Sequence, residues 1–126
     1  MKRKLLLLLI FLSTASVAAD LTYEQALTKA DRDEASLSAA QTNALVAAQG
    51  AAAKSSFAKC PVPSPHADLS PFVLVMELDA NGKVVRTWLH GSSPIAICFH
   101  SQMATKSLSK PPRTPFYTSF NMSWNP

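Results

Sequence analysis

The sequence predicts an α+β fold in which an N-terminal helix precedes a small ββαβ module, with one helix packed on a three-stranded antiparallel sheet. Three observations indicate this fold. Every second residue from 72 to 78 is a large apolar residue, the pair Asn81-Gly82 separates that run from a second apolar run, and a Ser-Pro helix start follows at 93–94. A chain of 126 residues accommodates one such domain and an appendage.

The first residues are typical of a secretory signal peptide. Residues 2–4 are basic, residues 5–12 form an unbroken apolar run, and small residues precede Asp20. We expect cleavage after Ala19, so that residues 1–19 are removed and the protein is exported to the periplasm of a Gram-negative type envelope. The alternative is an uncleaved anchor, although a membrane span needs about 20 apolar residues.

The charge of the chain makes nucleic acid an improbable partner. The sequence has 12 Lys and Arg residues against 8 Asp and Glu residues, and removal of the three basic residues at 2–4 leaves 9 against 8. The remaining basic residues are scattered and lack the interleaved aromatic residues of a nucleic-acid platform. We therefore expect no nucleic-acid partner.

Residues 20–54 predict a single helix of high intrinsic propensity, which Thr22 and Gln25 begin as a capping box. Its thin apolar stripe favours a solvated helix that packs loosely on the sheet domain or on nothing, and a stalk or partner-binding helix is the alternative. Residues 55–70 contain Pro61, Pro63 and Pro65 and predict a linker or an ordered extended segment.

Residues 71–126 contain the elements of the predicted sheet module. The first strand places four apolar side chains on one face: Phe72, Leu74, Met76 and Leu78. Asn81-Gly82 predicts a type I′ turn, which has positive φ at both central residues, before a second strand from about Lys83. Ser93 and Pro94 begin a helix as N-cap and first helical residue, and the prolines at 111–112 end it.

A third strand completes the sheet. The hairpin and the helical crossover place the first strand at the centre, in the order 2-1-3, so that both outer strands are edges. No later element covers the third strand, and we expect its backbone groups to be available to another chain. This predicted partner-binding strand comprises Phe116, Tyr117, Thr118, Ser119, Phe120, Asn121, Met122, Ser123 and Trp124.

Four features follow one another along the chain: the 72–84 run with its Asn-Gly turn, residues 91–94 before the helix, the Lys-Pro-Pro at 110–112 and the terminal strand. This ordered set resembles a known family. It is similar to the C-terminal domain of the TonB and TolA family of periplasmic energy-transducing proteins. The resemblance implies a role in cell-envelope transport. It also implies that the domain binds an envelope partner by adding an extended segment to its sheet edge.

Cys60 and Cys98 predict a disulfide bond, because two cysteines in an exported chain most simply pair. A cysteine at the position of Cys98 is also similar to the TolA branch, in which it is bridged to one just before the first strand. The alternative is a metal site that combines Cys98 and His100 with His90 or Cys60. Cys98 and His100 would project about 200° apart on a helix, so we predict neither metal nor cofactor.

The sequence predicts no enzyme. His66, His90 and His100 could act as bases, but no motif places a nucleophile on a strained turn beside an orienting carboxylate. A second hypothesis for the function is a small exported inhibitor or immunity-type protein that plugs a partner's site with the 61–71 insert. Open edges also allow a strand-exchanged dimer.

Overall fold

A computed structural model describes residues 20–61 and 66–124 and has an α+β fold. The three strands form one antiparallel sheet in the order β2-β1-β3, as predicted. The predicted signal peptide and residues 62–65 of the predicted linker lie outside the described residues. The elements are α1 (Tyr23–Ala35), α2 (Ala39–Ala58), β1 (Phe72–Leu78), β2 (Val84–His90), α3 (Pro94–Met103) and β3 (Phe116–Met122).

The central strand β1 is buried on both faces. Leu74 and Met76 point to one face and Val75 to the other, and all three side chains are fully inaccessible to solvent. The predicted apolar face of β1 is confirmed, since Phe72 and Leu78 are also buried. A strand that is apolar on both sides requires cover on both sides of the sheet.

The prediction of one loosely packed N-terminal helix is wrong. Thr22 and Gln25 form the expected capping box, but a second capping box of Ser38 and Gln41 begins another helix after a break at 36–38. The second helix, α2, extends to Ala58 and thus into the residues predicted as linker. Both helices pack on the sheet, and no helix within 20–61 or 66–124 is long and apolar enough to span a membrane.

The first helix, α1, covers one face of the sheet. Ala26 and Ala30 are fully buried in a cluster with Val75 and Tyr117, since alanine lets the helix approach the strands closely. Trp88 of β2 packs against the same cluster, and its indole N–H donates to the backbone carbonyl of Leu21 at 2.9 Å. Trp88 therefore contacts α1 and the residues that precede it.

The second and third helices, α2 and α3, cover the opposite face and form the main core with the predicted face of β1. From α3, Phe99 and Met103 are fully buried against the sheet. Phe99 stacks on Phe57 of α2 with ring centroids 4.4 Å apart. The sheet therefore lies between one helix on one side and two on the other.

A disulfide bond between Cys60 and Cys98 joins the end of α2 to α3, as predicted. It links two elements that are 38 residues apart in sequence and lie on the same face of the sheet. Because both thiols are consumed, the alternative metal site that used Cys60 or Cys98 as a ligand is wrong. No group of three or more metal-ligating side chains occurs in the part of the chain that the structure describes.

The hairpin turn differs from the predicted type I′ turn. Gly82 has a φ of 83°, but none of the described residues other than glycine has a positive φ, so Asn81 does not. Hydrogen bonds from Gly82 N–H to the Asp79 carbonyl and from Asp79 N–H to the Lys83 carbonyl enclose a three-residue loop. The Asp79 carboxylate accepts from the N–H groups of Asn81 and Lys83 at 2.9 and 3.0 Å, which organises this longer loop.

The turn also contacts the segment at 106–108, which pairs with the start of β2. Leu108 N–H donates to the Gly82 carbonyl at 2.7 Å, and Val84 N–H donates to the Lys106 carbonyl at 3.0 Å. A β-carbon on Gly82 would lie 2.5 Å from the Leu108 carbonyl oxygen. Glycine is therefore required here both for its backbone angle and for space.

We predict that Gly82→Ala lowers the free energy of unfolding by about 2 kcal/mol or more, because it combines positive φ with a backbone clash. Gly50→Ala is the matched control. Gly50 lies within α2 with nothing within 4 Å of an added β-carbon, so alanine should stabilise the helix by about 0.5 to 1 kcal/mol. Urea denaturation measures both effects, and a Gly82→Ala protein as stable as wild type would contradict the turn described here.

We predict that the disulfide stabilises the fold by about 2 to 5 kcal/mol, mainly by restricting the unfolded chain. Urea denaturation with and without reductant measures this difference, and Cys60→Ser with Cys98→Ser should reproduce the reduced protein. Oxidised protein should show no alkylatable thiol after denaturation. Two alkylatable thiols in protein isolated from an oxidising compartment would refute the pairing.

Candidate functional site

The two outer strands present the sheet edges at which another chain could pair. In an antiparallel sheet, successive residues of an edge strand direct their backbone groups alternately toward the neighbouring strand and away from it. On β3 the N–H groups of Tyr117 and Ser119 donate to side chains of α1, which shows that they point away from β1. Asn121 follows the same alternation, so these three residues form the outer edge of β3.

The outer edge of β3 is covered by the last turn of α1. Tyr117 N–H donates to Asp33 Oδ2 at 2.9 Å, and Ser119 N–H donates to Glu34 Oε1 at 2.8 Å. The expectation that the backbone groups of this strand are open is therefore wrong at Tyr117 and Ser119. The covering element precedes the sheet in sequence, whereas the expectation considered only elements that follow the strand.

Two further side chains hold this cover in place. Arg113 donates to Asp33 Oδ1 at 2.9 Å and to Ser36 Oγ at 2.8 Å, so Asp33 is bound from the strand and from the loop before it. Gln49 of α2 donates to Thr118 Oγ1 at 2.7 Å and to the Ser119 carbonyl at 3.3 Å. Helices from both faces of the sheet thus reach the β3 edge.

The residues predicted as the partner-binding strand fall into three environments. Phe116, Tyr117 and Thr118 are buried, while Ser119, Phe120, Met122 and Trp124 are partly buried, and Asn121 and Ser123 are exposed. Phe120, Met122 and Trp124 pack against the main core. Of the outward backbone groups of β3, the Tyr117 carbonyl and both groups of Asn121 have no hydrogen-bond partner among the described residues.

The outer edge of β2 is open over residues 87–89. On the central strand, the backbone groups of Val73, Val75 and Glu77 point toward β2. Their partners on β2 are His90, Trp88 and Arg86, respectively. Thr87 and Leu89 lie between these pairs, so their N–H and C=O groups point outward. Within residues 20–61 and 66–124 no hydrogen bond reaches these four groups, and the 106–108 segment covers only the start of the strand.

The side chains beside this open edge are held by contacts within the protein. Thr87 Oγ1 lies 2.6 Å from His100 Nε2 of α3, and burial lowers the pKa of His100, which favours the neutral imidazole. His90, at the end of β2, stacks on Tyr23 of α1 with ring centroids 4.8 Å apart. Val85 is 49 % exposed next to the open stretch.

A polar network crosses the three strands under α1. Tyr117 OH donates to Glu77 Oε1 at 2.7 Å, and Arg86 Nη2 donates to the same oxygen at 2.8 Å. Burial, followed by the Glu77 hydrogen bond, raises the pKa of Tyr117, and the hydrogen bond to Glu77 raises the pKa of Arg86. Glu77 therefore joins the three strands, whereas Asp79, two residues further on, organises the turn.

No protein-family model, curated protein or solved structure matches this chain. Within the described residues, α1 covers the β3 edge at Tyr117 and Ser119, whereas the β2 edge is open over residues 87–89.

Proposed function

We propose that this chain is a non-catalytic protein-binding module that adds an extended segment of a partner to the outer edge of β2. The observation that carries this proposal is the stretch of outward backbone groups at Thr87 and Leu89, which have no partner within the described residues. An added strand would satisfy all four groups. Main-chain hydrogen bonds of this kind supply affinity without requiring a particular partner sequence.

The side chains that flank the edge indicate which partner sequence fits. Residues of an added strand alternate between the two faces, and on the α1 face they would lie beside Arg86 and Trp88. Arg86 is a cation with a partly exposed side chain, and its guanidinium lies 5.0 Å from the Trp88 ring centre. An acidic or aromatic partner residue at this position is complementary to that pair.

The compartment and the partner class follow from the sequence features. The signal-peptide pattern and the disulfide favour the periplasm, where a disulfide persists. The resemblance to TonB and TolA C-terminal domains favours a ββαβ module that binds an envelope protein.

We predict that Thr87→Pro weakens capture of the partner, because proline removes an outward N–H that an added strand would use. Thr87→Ala is the matched control, since both changes lose the hydroxyl contact with His100 and only proline loses the N–H. Partner isolated from an envelope extract with mature wild-type protein provides the binding assay. Thr87→Ala should retain binding, and Thr87→Pro should weaken it by at least about tenfold.

Hydrogen exchange on the bound protein locates the interface independently. We expect protection of the Thr87 and Leu89 amides in the complex. Loss of binding with Asn121→Pro but not with Thr87→Pro would place recognition on β3 and contradict the proposal. Protection confined to residues 61–71 would contradict it as well and favour the inhibitor or immunity-type function.

A further inference from the structure

The outer edge of β3 has the backbone geometry of a strand-binding edge, but side chains occupy it. Tyr117 and Ser119 are two of the three outward residues of β3, and consecutive carboxylates of α1 accept their N–H groups. The distances of 2.9 and 2.8 Å are those of strong hydrogen bonds to a charged acceptor. Asp33 and Glu34 thus stand where the carbonyl oxygens of a neighbouring strand would lie.

The position of these carboxylates is unfavourable for α1 itself. Asp33 and Glu34 lie in the last turn of the helix, where the negative end of the helix dipole disfavours acidic side chains. Their hydrogen bonds to β3 and the ion pair of Asp33 with Arg113 offset this disadvantage. Helix stability therefore gives no reason for the two acidic residues, and the strand edge does.

The path of the chain from α1 to α2 brings the residues that cover the β3 edge into place. The helices α1 and α2 lie on opposite faces of the sheet, so the 36–38 connection passes around an edge, and the contacts place it at β3. Arg113 binds Ser36 in this connection, and Gln49 occupies the Ser119 carbonyl. The cover consequently reaches both donors and acceptors of the strand.

We propose that Asp33 and Glu34 block strand addition at the β3 edge, above all by a second copy of this chain. If both edges were open, the β2 edge of one copy could pair with the β3 edge of the next. Such a head-to-tail contact does not close into a ring and would continue without limit. Closing β3 leaves one edge for recognition. This role of Asp33 and Glu34 does not depend on which partner binds β2, and it can be tested with this protein alone.

The test is a comparison of Asp33→Ala/Glu34→Ala with wild type. We expect the amides of Tyr117 and Ser119 to exchange at least about tenfold faster in the variant. Sedimentation velocity should show assemblies larger than those of wild type at the same concentration. Adding Ser119→Pro to the variant removes an outward N–H and should reverse the assembly, because β3 can then no longer pair.

Asp33→Asn/Glu34→Gln is the isosteric control, which retains acceptor oxygens and should keep both the protection and the wild-type assembly state. Should the double alanine variant unfold, Glu34→Ala alone decides, with faster exchange expected at Ser119 and not at Tyr117. Unchanged exchange at both amides and wild-type sedimentation would overturn the proposal. Assemblies that persist after Ser119→Pro would overturn it too, because they would not form through β3.

Discussion

Burial of both faces of β1 is the constraint on which the rest of the structure depends. Leu74 and Met76 on one face and Val75 on the other are fully inaccessible, and burial of side chains of this size contributes about 1.5 to 3 kcal/mol each. Each face therefore needs a helical layer, and the chain supplies α1 for one and α2 with α3 for the other. Because α1 and α2 are consecutive, the chain must pass around one edge of the sheet.

This passage makes the two edges unequal. The β3 edge is bound by Asp33 and Glu34, whereas the β2 edge is open over residues 87–89 within the described part of the chain. The disulfide fixes α2 to α3 on the face of the sheet opposite α1. The helix α1 is held by the packing of small residues and by its polar contacts. The inequality of the two edges therefore follows from a packing requirement in the core.

Local patterns in the sequence accounted for the strands, for the start of α3 and for the order of the sheet, since alternation, capping residues and connection rules act over short distances. The predicted end of α3 at the prolines 111–112 is wrong, because the helix ends at Met103 and residues 106–108 pair with the hairpin. The break between α1 and α2 was also present locally, because Ser38 and Gln41 repeat the capping box of Thr22 and Gln25. The second covered face of β1 was not predicted, although the apolar side chains of Val73 and Val75 are a local signal for it. In contrast, the contacts of Asp33 and Glu34 join residues 84 and 85 positions apart, and no local pattern reports them. The turn was mispredicted because the Asp79 side chain organises a loop one residue longer than Asn81-Gly82 alone suggests.

Residue-resolved amide hydrogen exchange on the unliganded wild-type protein tests the inequality of the two edges most directly. A hydrogen-bonded edge amide exchanges only when its local structure opens, whereas an unpaired edge amide is limited mainly by solvent access. The structure predicts slow exchange at Tyr117 and Ser119 and exchange at least about tenfold faster at Thr87 and Leu89. Equally fast exchange at all four amides, or slower exchange at Thr87 and Leu89 than at Tyr117 and Ser119, would contradict this account.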